Sequence, residues 1–497
     1  MRSPVMSDAS EASTEKSLLQ PGRNCWRVEQ ANRASLIVDA DDYYRHALRA
    51  MLDAKSQIML IGWDVDTRVR LADEPPPEGA PTALGPLLSW ISKRRPELDI
   101  YILVWDHAAL SIPGRGTTML RLARWATKKR IHLKFDHSHP LAGSHHQKIL
   151  VIDDALAFCG GIDITADRWD TRHHKDEEPG RRRPFTRRAY EPWHDATMAI
   201  DGKAAEAIGD QARIRWKVAT GKDLHVPADR ADAWPAELKP AFRDVEVGIA
   251  RTRGKEGNLE EIREVEALFV DLIGCAKRFV YVETQYFASR VIAEAIGRRL
   301  AEPDCPEFVI VNPKTAYGWL DETVMSPARY ELVKALWEKD RNNRFRIYYP
   351  LTEGGAEIYV HAKIMIVDDH YLRVGSANMN NRSMGLDSEC DLLIDGRDRE
   401  EVRRTISEIR YDLLAEHLGL ESPEVEQCYV ETGSLIGCIE KLRGSGRTLE
   451  PLAPEEPTKI EKGIAKRELA DPEAADPFEP QARPGLLKGI KRMRPPK

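Results

Sequence analysis

One stretch of twenty residues occurs twice in this chain, and this repeat constrains the fold more than any other feature. HQKILVIDDALAFCGGIDIT begins at His146 and HAKIMIVDDHYLRVGSANMN begins at His361; they align without a gap, 215 residues apart. A helical pattern followed by a short apolar strand also occurs twice, from Asp42 and from Glu264. Two copies of roughly 200 residues each predict two similar α/β halves that face each other, rather than a solenoid of short repeats.

Alternation along a strand places the polar residues that open each copy. Successive side chains of a strand point to opposite faces, so His146 and Lys148 share a face and Gln147 lies on the other. Asp153 is an odd number of residues from His146, so we expect it to face away and to bind the turn that follows. The apolar run between Lys148 and Asp153 predicts a strand buried on both sides. The second copy repeats this pattern with His361, Lys363 and Asp368.

A hairpin is predicted after each of these strands, because paired aspartates favour a turn. If residues 154 and 155 form the first loop, Asp163 lies across from His146. The same register places Asn378 across from His361. A bulge at the glycines that follow would shift this register. Each copy is then predicted to present a histidine, a lysine and an acid or amide together.

Two imidazole–ammonium pairs meeting face to face suit a phosphodiester. The lysines neutralise the non-bridging oxygens, and one imidazole attacks phosphorus while the other protonates the leaving oxygen. This chemistry requires no metal and no cofactor, and we expect neither. A single histidine on a strand is more often an ordinary core residue, but two copies at identical spacing favour catalysis.

A catalytic histidine needs a partner for its second ring nitrogen, and the chain offers two candidates. PWHDATMAIDG and LDSECDLLIDG align through their shared Ile-Asp-Gly ending, which superposes Asp195 on Glu389. We expect Asp195 to orient His146 and Glu389 to orient His361. The alternative is that both are ordinary surface acids beside a strand.

These residues resemble the motif of the phospholipase D superfamily: His-x-Lys, an Asp five residues beyond the Lys, and a Gly-Gly or Gly-Ser step. GWDVD, GGIDITADRWDTRHH, EPWHD, VETQYFAS and IYVHAKIMIVDDHYLRVGSANMNNRSMGLDSE extend the resemblance, particularly to the eukaryotic-type phospholipases, over roughly residues 35 to 420. The resemblance implies an α/β fold of two α/β/α lobes related by a pseudo-twofold axis, each with a mixed central sheet flanked by helices.

The resemblance also implies roles for single residues. His146 forms a phosphohistidine intermediate and His361 protonates the alcohol, while the phosphate oxygens are held by Lys148, Lys363 and Asn378. Many relatives have Asn where this chain has Asp163, and a second anion near phosphate is unfavourable unless it is protonated or hydrogen-bonded. No segment resembles the calcium- or phosphoinositide-binding modules of larger relatives.

The expected function is a phospholipase D that cleaves the distal phosphodiester bond of glycerophospholipids of the phosphatidylcholine type. It would release phosphatidic acid and a head-group alcohol, with water or a primary alcohol as acceptor. The alternatives are a cardiolipin synthase-like phosphatidyl transferase, a phosphodiesterase acting on nucleic acid, and an inactive lipid-binding scaffold. The net charge of −6 weighs against a nucleic-acid partner, and the intact His/Lys pairs weigh against a scaffold.

Composition and patterning divide the chain into four expected segments. They are a disordered lead (1–22), a first lobe (23–240), a second lobe (241–444) and a poorly ordered tail with a basic end (445–497). The first residues lack a signal-peptide core, and no apolar run reaches the ~20 residues of a membrane span. We expect a soluble monomer, cytoplasmic or bound to a membrane surface, with non-classical secretion left open. The seven scattered cysteines fit neither a disulfide scaffold nor a zinc ribbon.

Weaker patterns leave their alternatives open. Residues 167–188 carry eight basic side chains and could rim the site and attract an anionic membrane, or form a solvated loop. His137, His139, His145 and His146 suggest a metal cluster, but their spacing fits no common zinc site and His146 already has a catalytic role. Aromatic residues that either line the substrate groove or belong to the core are Tyr286, Phe287 and Trp193.

Overall fold

The computed structural model describes residues 17–106, 125, 128–140, 143–228, 230–315 and 319–453, and for residues 319–325 the backbone alone. Its strands are β1 (Arg27–Val38), β2 (Gln57–Gly62), β3 (Asp99–Trp105), β4 (Ile131–Asp136), β5 (Ile149–Ile152), β6 (Leu156–Gly160), β7 (Trp193–His194), β8 (Ala196–Asp201), β9 (Phe242–Arg253), β10 (Ile262–Arg263), β11 (Phe279–Glu283), β12 (Glu307–Val311), β13 (Phe345–Leu351), β14 (Tyr359–Val360), β15 (Ile364–Val367), β16 (Tyr371–Gly375), β17 (Glu389–Asp395) and β18 (Thr448–Pro451). Its helices are α1 (Ala40–Asp53), α2 (Leu84–Arg94), α3 (Gly202–Thr220), α4 (Glu264–Cys275), α5 (Arg290–Leu300), α6 (Trp319–Lys339), α7 (Asn381–Gly385), α8 (Glu400–Leu418), α9 (Ser422–Thr432) and α10 (Leu435–Leu442).

One continuous mixed sheet runs through both halves of the described chain. Its strand order is β18-β13-β12-β11-β15-β16-β17-β9-β1-β8-β6-β5-β2-β3-β4, and β10 pairs with β9 off this path. The order reads alike in both directions from the central antiparallel pair of β1 and β9. In each half a hairpin, β5–β6 or β15–β16, precedes three parallel strands on the way to the edge. The predicted α/β fold with two related lobes is therefore confirmed, and the lobes share their sheet.

The core lies on both faces of this sheet, as the apolar runs predict. Along β5, Leu150 packs in a cluster with Tyr44 of α1, whereas the next residue, Val151, packs in a cluster with Trp216 of α3. All four residues of β5 are buried, and burial of each such side chain contributes about 1.5–3 kcal/mol. In the second half α8 covers the face equivalent to that of α3, and α4 and α5 cover the other. The layers are therefore helices, sheet and helices.

Asp153 and Asp368 have the structural role that strand alternation predicts, although the partner differs. Asp153 accepts hydrogen bonds from the backbone amides of Lys55, Ser56 and Gln57, at 2.6–2.8 Å. These amides lie at the junction of α1 and β2, so Asp153 binds the start of the neighbouring strand, whereas the sequence predicts the turn that follows as its partner. Asp368 accepts equivalent bonds from the amides of Lys277, Arg278 and Phe279.

The predicted hairpin register is wrong by one residue. Ile152 pairs with Leu156, so the loop comprises residues 153–155, and the second hairpin is equivalent. Asp153 and Asp154 both adopt left-handed φ angles, 53° and 54°, so the turn begins one residue earlier than the sequence suggests. Because β6 ends at Gly160, neither His146 nor Asp163 belongs to this ladder.

The folded body extends past both predicted terminal boundaries. Residues 1–16 and 454–497, with most of the predicted lead and the basic end of the tail, lie outside the described residues. Leu19 is buried against the second half, and β18 pairs with β13 at the sheet edge. In the part of the chain that the structure describes, no helix has both the length and the apolarity needed to cross a bilayer.

Candidate active site

A two-stranded parallel sheet outside the main sheet joins the two halves beside one predicted catalytic histidine. In it, β7 of the first half pairs with β14 of the second, Trp193 with Tyr359 and His194 with Val360. The residues that follow these strands are Asp195 and His361. The backbone N–H of His361 donates to the carbonyl of His194 at 2.7 Å. This pairing brings a carboxylate of the first half against a histidine of the second.

A parallel bridge between His145 and Ser388 repeats this junction on the other side of the pseudo-twofold axis. The backbone N–H of His146 donates to the carbonyl of Ser388 at 3.0 Å, and Glu389 is the next residue. The two junctions are related by the same symmetry as the repeat. Each catalytic histidine is therefore held beside the carboxylate of the opposite half.

The predicted assignment of the two carboxylates is consequently wrong, because they are exchanged. Nδ1 of His361 lies 2.6 Å from Oδ2 of Asp195, and Nδ1 of His146 lies 3.1 Å from both carboxylate oxygens of Glu389. Alignment of the repeats identifies equivalent residues, but equivalence does not say in which half a side chain finds its partner. The inter-half strand pairing decides that.

The two carboxylates are equivalent in position but differ in their surroundings. Burial opposes ionisation of Glu389, but the charge of His146 and hydrogen bonds from His146, Ser376 and Ser383 hold its pKa below the ordinary value. The two serine hydroxyls donate to it at 2.5 and 2.7 Å. Burial raises the pKa of Asp195 to about 7, even though Lys363 opposes that shift. The halves thus form an electrostatically unequal pair of dyads.

The lysine of each motif is buried close to its histidine. Lys148 Nζ donates to the carbonyl of His146 at 2.7 Å, and Lys363 Nζ contacts the carbonyl of His361. Lys363 also donates to Oε1 of Gln285 at 3.4 Å. Burial, together with the charge of Lys148, lowers the pKa of Lys363 to about 7, against the opposing charge of Asp195. Burial therefore disfavours the charged form of Lys363.

Asp163 and Asn378, predicted as equivalent, take different contacts. Asp163 lies beside Lys148, its Oδ2 3.2 Å from Nζ, and its Oδ1 accepts the backbone N–H of Trp63 at 3.0 Å. Asn378 Nδ2 donates to Gln285 at 3.4 Å, while its buried Oδ1 has no hydrogen-bond partner among the described residues. Asp163 is thus committed to neighbouring groups, whereas Asn378 retains an unused oxygen.

Two residues near His361 were not identified from the sequence. Gln285 is the acceptor shared by Lys363 and Asn378, and its signal in the sequence is its place in the VETQYFAS segment that resembles the family. Arg168 was noted only as one of a basic run; its guanidinium lies over the Trp193 ring, 4.3 Å from the centroid. That ring is 5.0 Å from the imidazole of His361. Trp193 therefore packs beside the reactive histidine.

Two of the weaker sequence patterns, an aromatic residue and a group of histidines, have structural explanations. Phe287 is a core residue. Of the histidines that suggested a metal cluster, His137 and His139 contact the carboxylate of Asp106 and His145 contacts that of Asp136, while His146 belongs to the dyad with Glu389. Their side chains therefore pair with three different carboxylates.

Charged groups of both halves act on His361. Burial, followed by the charges of Lys363, Arg168, Lys148 and His146, holds the pKa of His361 well below its ordinary value. The side chain of His146 is 16% exposed and that of His361 is 6% exposed. Two imidazoles and two ammonium groups with so little solvent favour the binding of an anion, because an anion would relieve their mutual repulsion. The arrangement can neutralise a phosphodiester and offer it both a nucleophile and an acid.

Known proteins similar to this chain are consistent with that geometry. The family model "Phospholipase D" matches residues 50–292, and the model "Cardiolipin synthase, PLD-like domain" matches residues 269–412. Phospholipase D A of Dictyostelium discoideum is 26% identical over 78% of the chain, and phospholipase D alpha 1 of Arabidopsis thaliana is 24% identical over 79%. These matches span 35% and 65% of the relatives' own lengths.

A solved structure shares the fold at low sequence identity. It is the phosphatidylserine synthase of Haemophilus influenzae Rd KW20, with a TM-score of 0.51 and 15% identity. The match covers 77% of this chain and 87% of the other. It supports the architecture of the two halves.

Proposed function

This chain belongs to the phospholipase D superfamily, and we propose that it is a phosphodiesterase that hydrolyses glycerophospholipids at the bond between phosphate and head group. The products would be phosphatidic acid and a free alcohol, with phosphatidylcholine as the expected substrate type. The observation that carries the proposal is the pair of His–carboxylate dyads, each assembled from both halves, with a lysine beside each histidine. This arrangement provides two proton-transfer groups and two positive charges around one phosphorus atom.

In the proposed reaction, the free imidazole nitrogen Nε2 of His146 attacks phosphorus. The bond from phosphorus to the head-group oxygen breaks, and His361 supplies the proton that the departing alkoxide takes up. The negative charge of the bound phosphodiester raises the pKa of His361 and so allows it to carry that proton. Water then attacks phosphorus and gives a proton to His361, the bond from phosphorus to Nε2 of His146 breaks, and phosphatidic acid leaves. A primary alcohol in place of water would give head-group exchange.

Lys148, Lys363 and Asn378 are proposed to hold the non-bridging oxygens during both steps. The two ammonium groups offset the charge that develops on phosphorus oxygens, and Asn378 Nδ2 can donate to one of them. Asp163, which pairs with Lys148, is proposed to orient that lysine rather than to touch the substrate.

Contact with a membrane surface is proposed through the loop 181–188. Phe185 at its tip is 67% exposed, and the exposed arginines around it are Arg182, Arg183, Arg187 and Arg188. An exposed aromatic ring among arginines suits insertion at an anionic bilayer surface, where each basic residue contributes about 1 kcal/mol. Phe185→Ala should reduce the fraction of protein that sediments with vesicles containing anionic lipid. It should leave the rate of hydrolysis of a soluble short-chain substrate unchanged.

A cardiolipin synthase-like phosphatidyl transfer is the second candidate, because the model that matches residues 269–412 carries that description. It uses the same phosphohistidine, with a glycerol-containing lipid as acceptor in place of water. The two candidates differ only in what reaches the intermediate in the second step. Cleavage of a phosphodiester bond in nucleic acid is the third candidate, because it uses the same reaction chemistry.

The deciding experiment supplies phosphatidylcholine vesicles with ethanol, and separately with phosphatidylglycerol, and measures free choline and phosphatidyl products. Hydrolysis predicts choline and phosphatidic acid, with phosphatidylethanol when ethanol is present. His146→Ala should abolish all of these products. The control His132→Ala should not, because His132 lies on β4 and pairs with Asp99 of β3. Choline release that survives His146→Ala would refute the proposed nucleophile. Accumulation of cardiolipin in place of phosphatidic acid would favour the transferase, and cleavage confined to a single-stranded oligonucleotide would exclude both lipid reactions.

A further inference from the structure

A second group of buried histidines and carboxylates lies directly behind the dyad of His361 and Asp195. Its members are Asp39, between β1 and α1, His174, in the loop after β6, His194, on β7, and Glu416, on α8. Each of these residues is at most 4% exposed. None of them takes part in the proposed reaction, although His194 immediately precedes Asp195.

The side chains of these four residues converge on one point. Oε1 of Glu416 lies 3.1 Å from Nε2 of His174 and 2.8 Å from Nδ1 of His194. Asp39 has its Oδ2 3.4 Å from the same nitrogen of His174 and its Oδ1 3.4 Å from that of His194. The four ligand atoms all lie within 4.8 Å of one another. Tetrahedral coordination at about 2.0–2.2 Å places ligand atoms roughly 3.4 Å apart, which these separations approach.

The outer nitrogen of each imidazole also faces a carboxylate. Nδ1 of His174 lies 3.1 Å from Oδ2 of Asp170, and Nε2 of His194 lies 2.8 Å from Oε2 of Glu283. Histidines that bind metals usually donate their second N–H to such a carboxylate, which orients the ring and fixes its tautomer. Both rings thus have the surroundings of metal-bound imidazoles.

Protons or one cation can balance the charges at this centre, because Arg172 already pairs with Glu416 and Arg181 with Asp170. With no cation there, each ring nitrogen of His174 and His194 faces a carboxylate oxygen, so both rings would have to carry two protons. Oδ2 of Asp39 is buried and has no hydrogen-bond partner among the described residues. Burying so many charges costs several kcal/mol per ion unless they are well compensated. A divalent cation neutralises two carboxylates, leaves each ring one proton on its outer nitrogen, and gives Oδ2 of Asp39 a partner.

We propose that Asp39, His174, His194 and Glu416 bind one divalent transition-metal ion. Zinc is the best match, because two imidazoles and two carboxylates suit its tetrahedral preference. A rival set of Glu283, His194 and His417 offers three atoms only. In that set the Nδ1 of His417 has no hydrogen-bond partner among the described residues, so its ring lacks the outer support that the other histidines have.

The proposed ion is structural and joins the two halves, because Glu416 comes from the second half and its other ligands come from the first. It also supports the active site. The backbone N–H of Asp39 donates to the carbonyl of Asp195 at 2.7 Å, and the N–H of Asp195 donates to Oδ1 of Asp39 at 3.1 Å. A surface cleft of about 450 Å³ is lined by Asp39, Glu416 and Arg172, which provides access for the ion. Asp39 and Asp195 are thus positioned by the same centre.

The first test is elemental analysis of the full-length protein, purified without chelators from zinc-supplemented cells. The wild type should contain about one equivalent of a first-row transition metal per chain. Glu416→Gln, and independently His174→Gln, should lose it, whereas the matched variant His417→Gln should keep it. Loss from His417→Gln together with retention in Glu416→Gln would overturn this ligand set in favour of the rival one.

The second test needs no variant and does not depend on lipid hydrolysis. The wild-type protein is dialysed against dipicolinate, and the midpoint of thermal unfolding is measured before and after adding Zn²⁺ or Mg²⁺. The midpoint should fall by several degrees on metal removal and recover with Zn²⁺ but not with Mg²⁺, which prefers six oxygen ligands. Protein that takes up no transition metal after Zn²⁺ addition, with a midpoint unaffected by zinc or chelator, would show that protons occupy the cluster.

Discussion

The exchanged pairing of histidines and carboxylates leads to a kinetic prediction that separates the two halves of the site. The perturbation is a change from carboxylate to amide at either position, Glu389→Gln or Asp195→Asn. Each replaces the carboxyl group beside one imidazole Nδ1 by a neutral amide, at 3.1 Å in the first case and 2.6 Å in the second. Replacing a charged hydrogen bond by a neutral one costs about 1–2 kcal/mol, which corresponds to a rate loss of ~5- to 30-fold.

The assay is a rapid-mixing measurement of the burst of alcohol release with two substrates. One substrate has a choline head group, and the other has a p-nitrophenyl group that leaves without needing a proton. With choline, both variants should slow the burst. With the aryl substrate, Asp195→Asn should regain most of its rate, because it acts through the proposed acid His361. Glu389→Gln should remain slow, because it acts through the proposed nucleophile His146.

A control and a refuting outcome complete this test. Asp99→Asn changes a carboxylate that lies 3.1 Å from His132, outside the site, so it should leave both bursts unchanged. If the aryl substrate restored Glu389→Gln and not Asp195→Asn, the pairing across the halves, with His146 as nucleophile, would be refuted. Equal restoration of both variants would mean that neither carboxylate acts through one particular histidine.

Three further predictions concern the lysines, the hairpin and the unexpected glutamine. Burial lowers the pKa of Lys363 to about 7, so its charged form should be lost as the pH rises through about 7, and kcat/KM should fall with it. This alkaline decrease in kcat/KM should disappear in Lys363→Arg, whose guanidinium stays charged, and persist in Lys148→Arg. Asp153→Asn should lower the free energy of unfolding by about 2 kcal/mol in urea titrations without changing KM, because it loses bonds to backbone amides; a change in KM at full stability would contradict the structural role. Gln285→Leu should raise KM in steady-state assays, because it removes the acceptor shared by Lys363 and Asn378. An unchanged KM would exclude a role for Gln285 in positioning these two groups.

Much of the fold was predictable because it depends on local patterns that occur twice. The alternation of Leu150 and Val151 between two faces follows from strand geometry alone, and the structure confirms it. The hairpin register was not predictable in the same way. It depends on the left-handed backbone of Asp153 and Asp154, and that conformation is stabilised by amides of a strand distant in sequence.

The residue types that recur at equivalent positions follow from the amino-acid order alone: two histidines, two lysines and two candidate carboxylates. The pairing of Glu389 with His146 and of Asp195 with His361 depends on the three-dimensional fold, because strand pairing between the halves carries each carboxylate across the pseudo-twofold axis. Burial likewise made the two dyads unequal, since desolvation and neighbouring charge depend on packing. The proposed metal site behind Asp195 was the least predictable feature. Its ligands come from four separate segments, so no spacing along the chain could have predicted them.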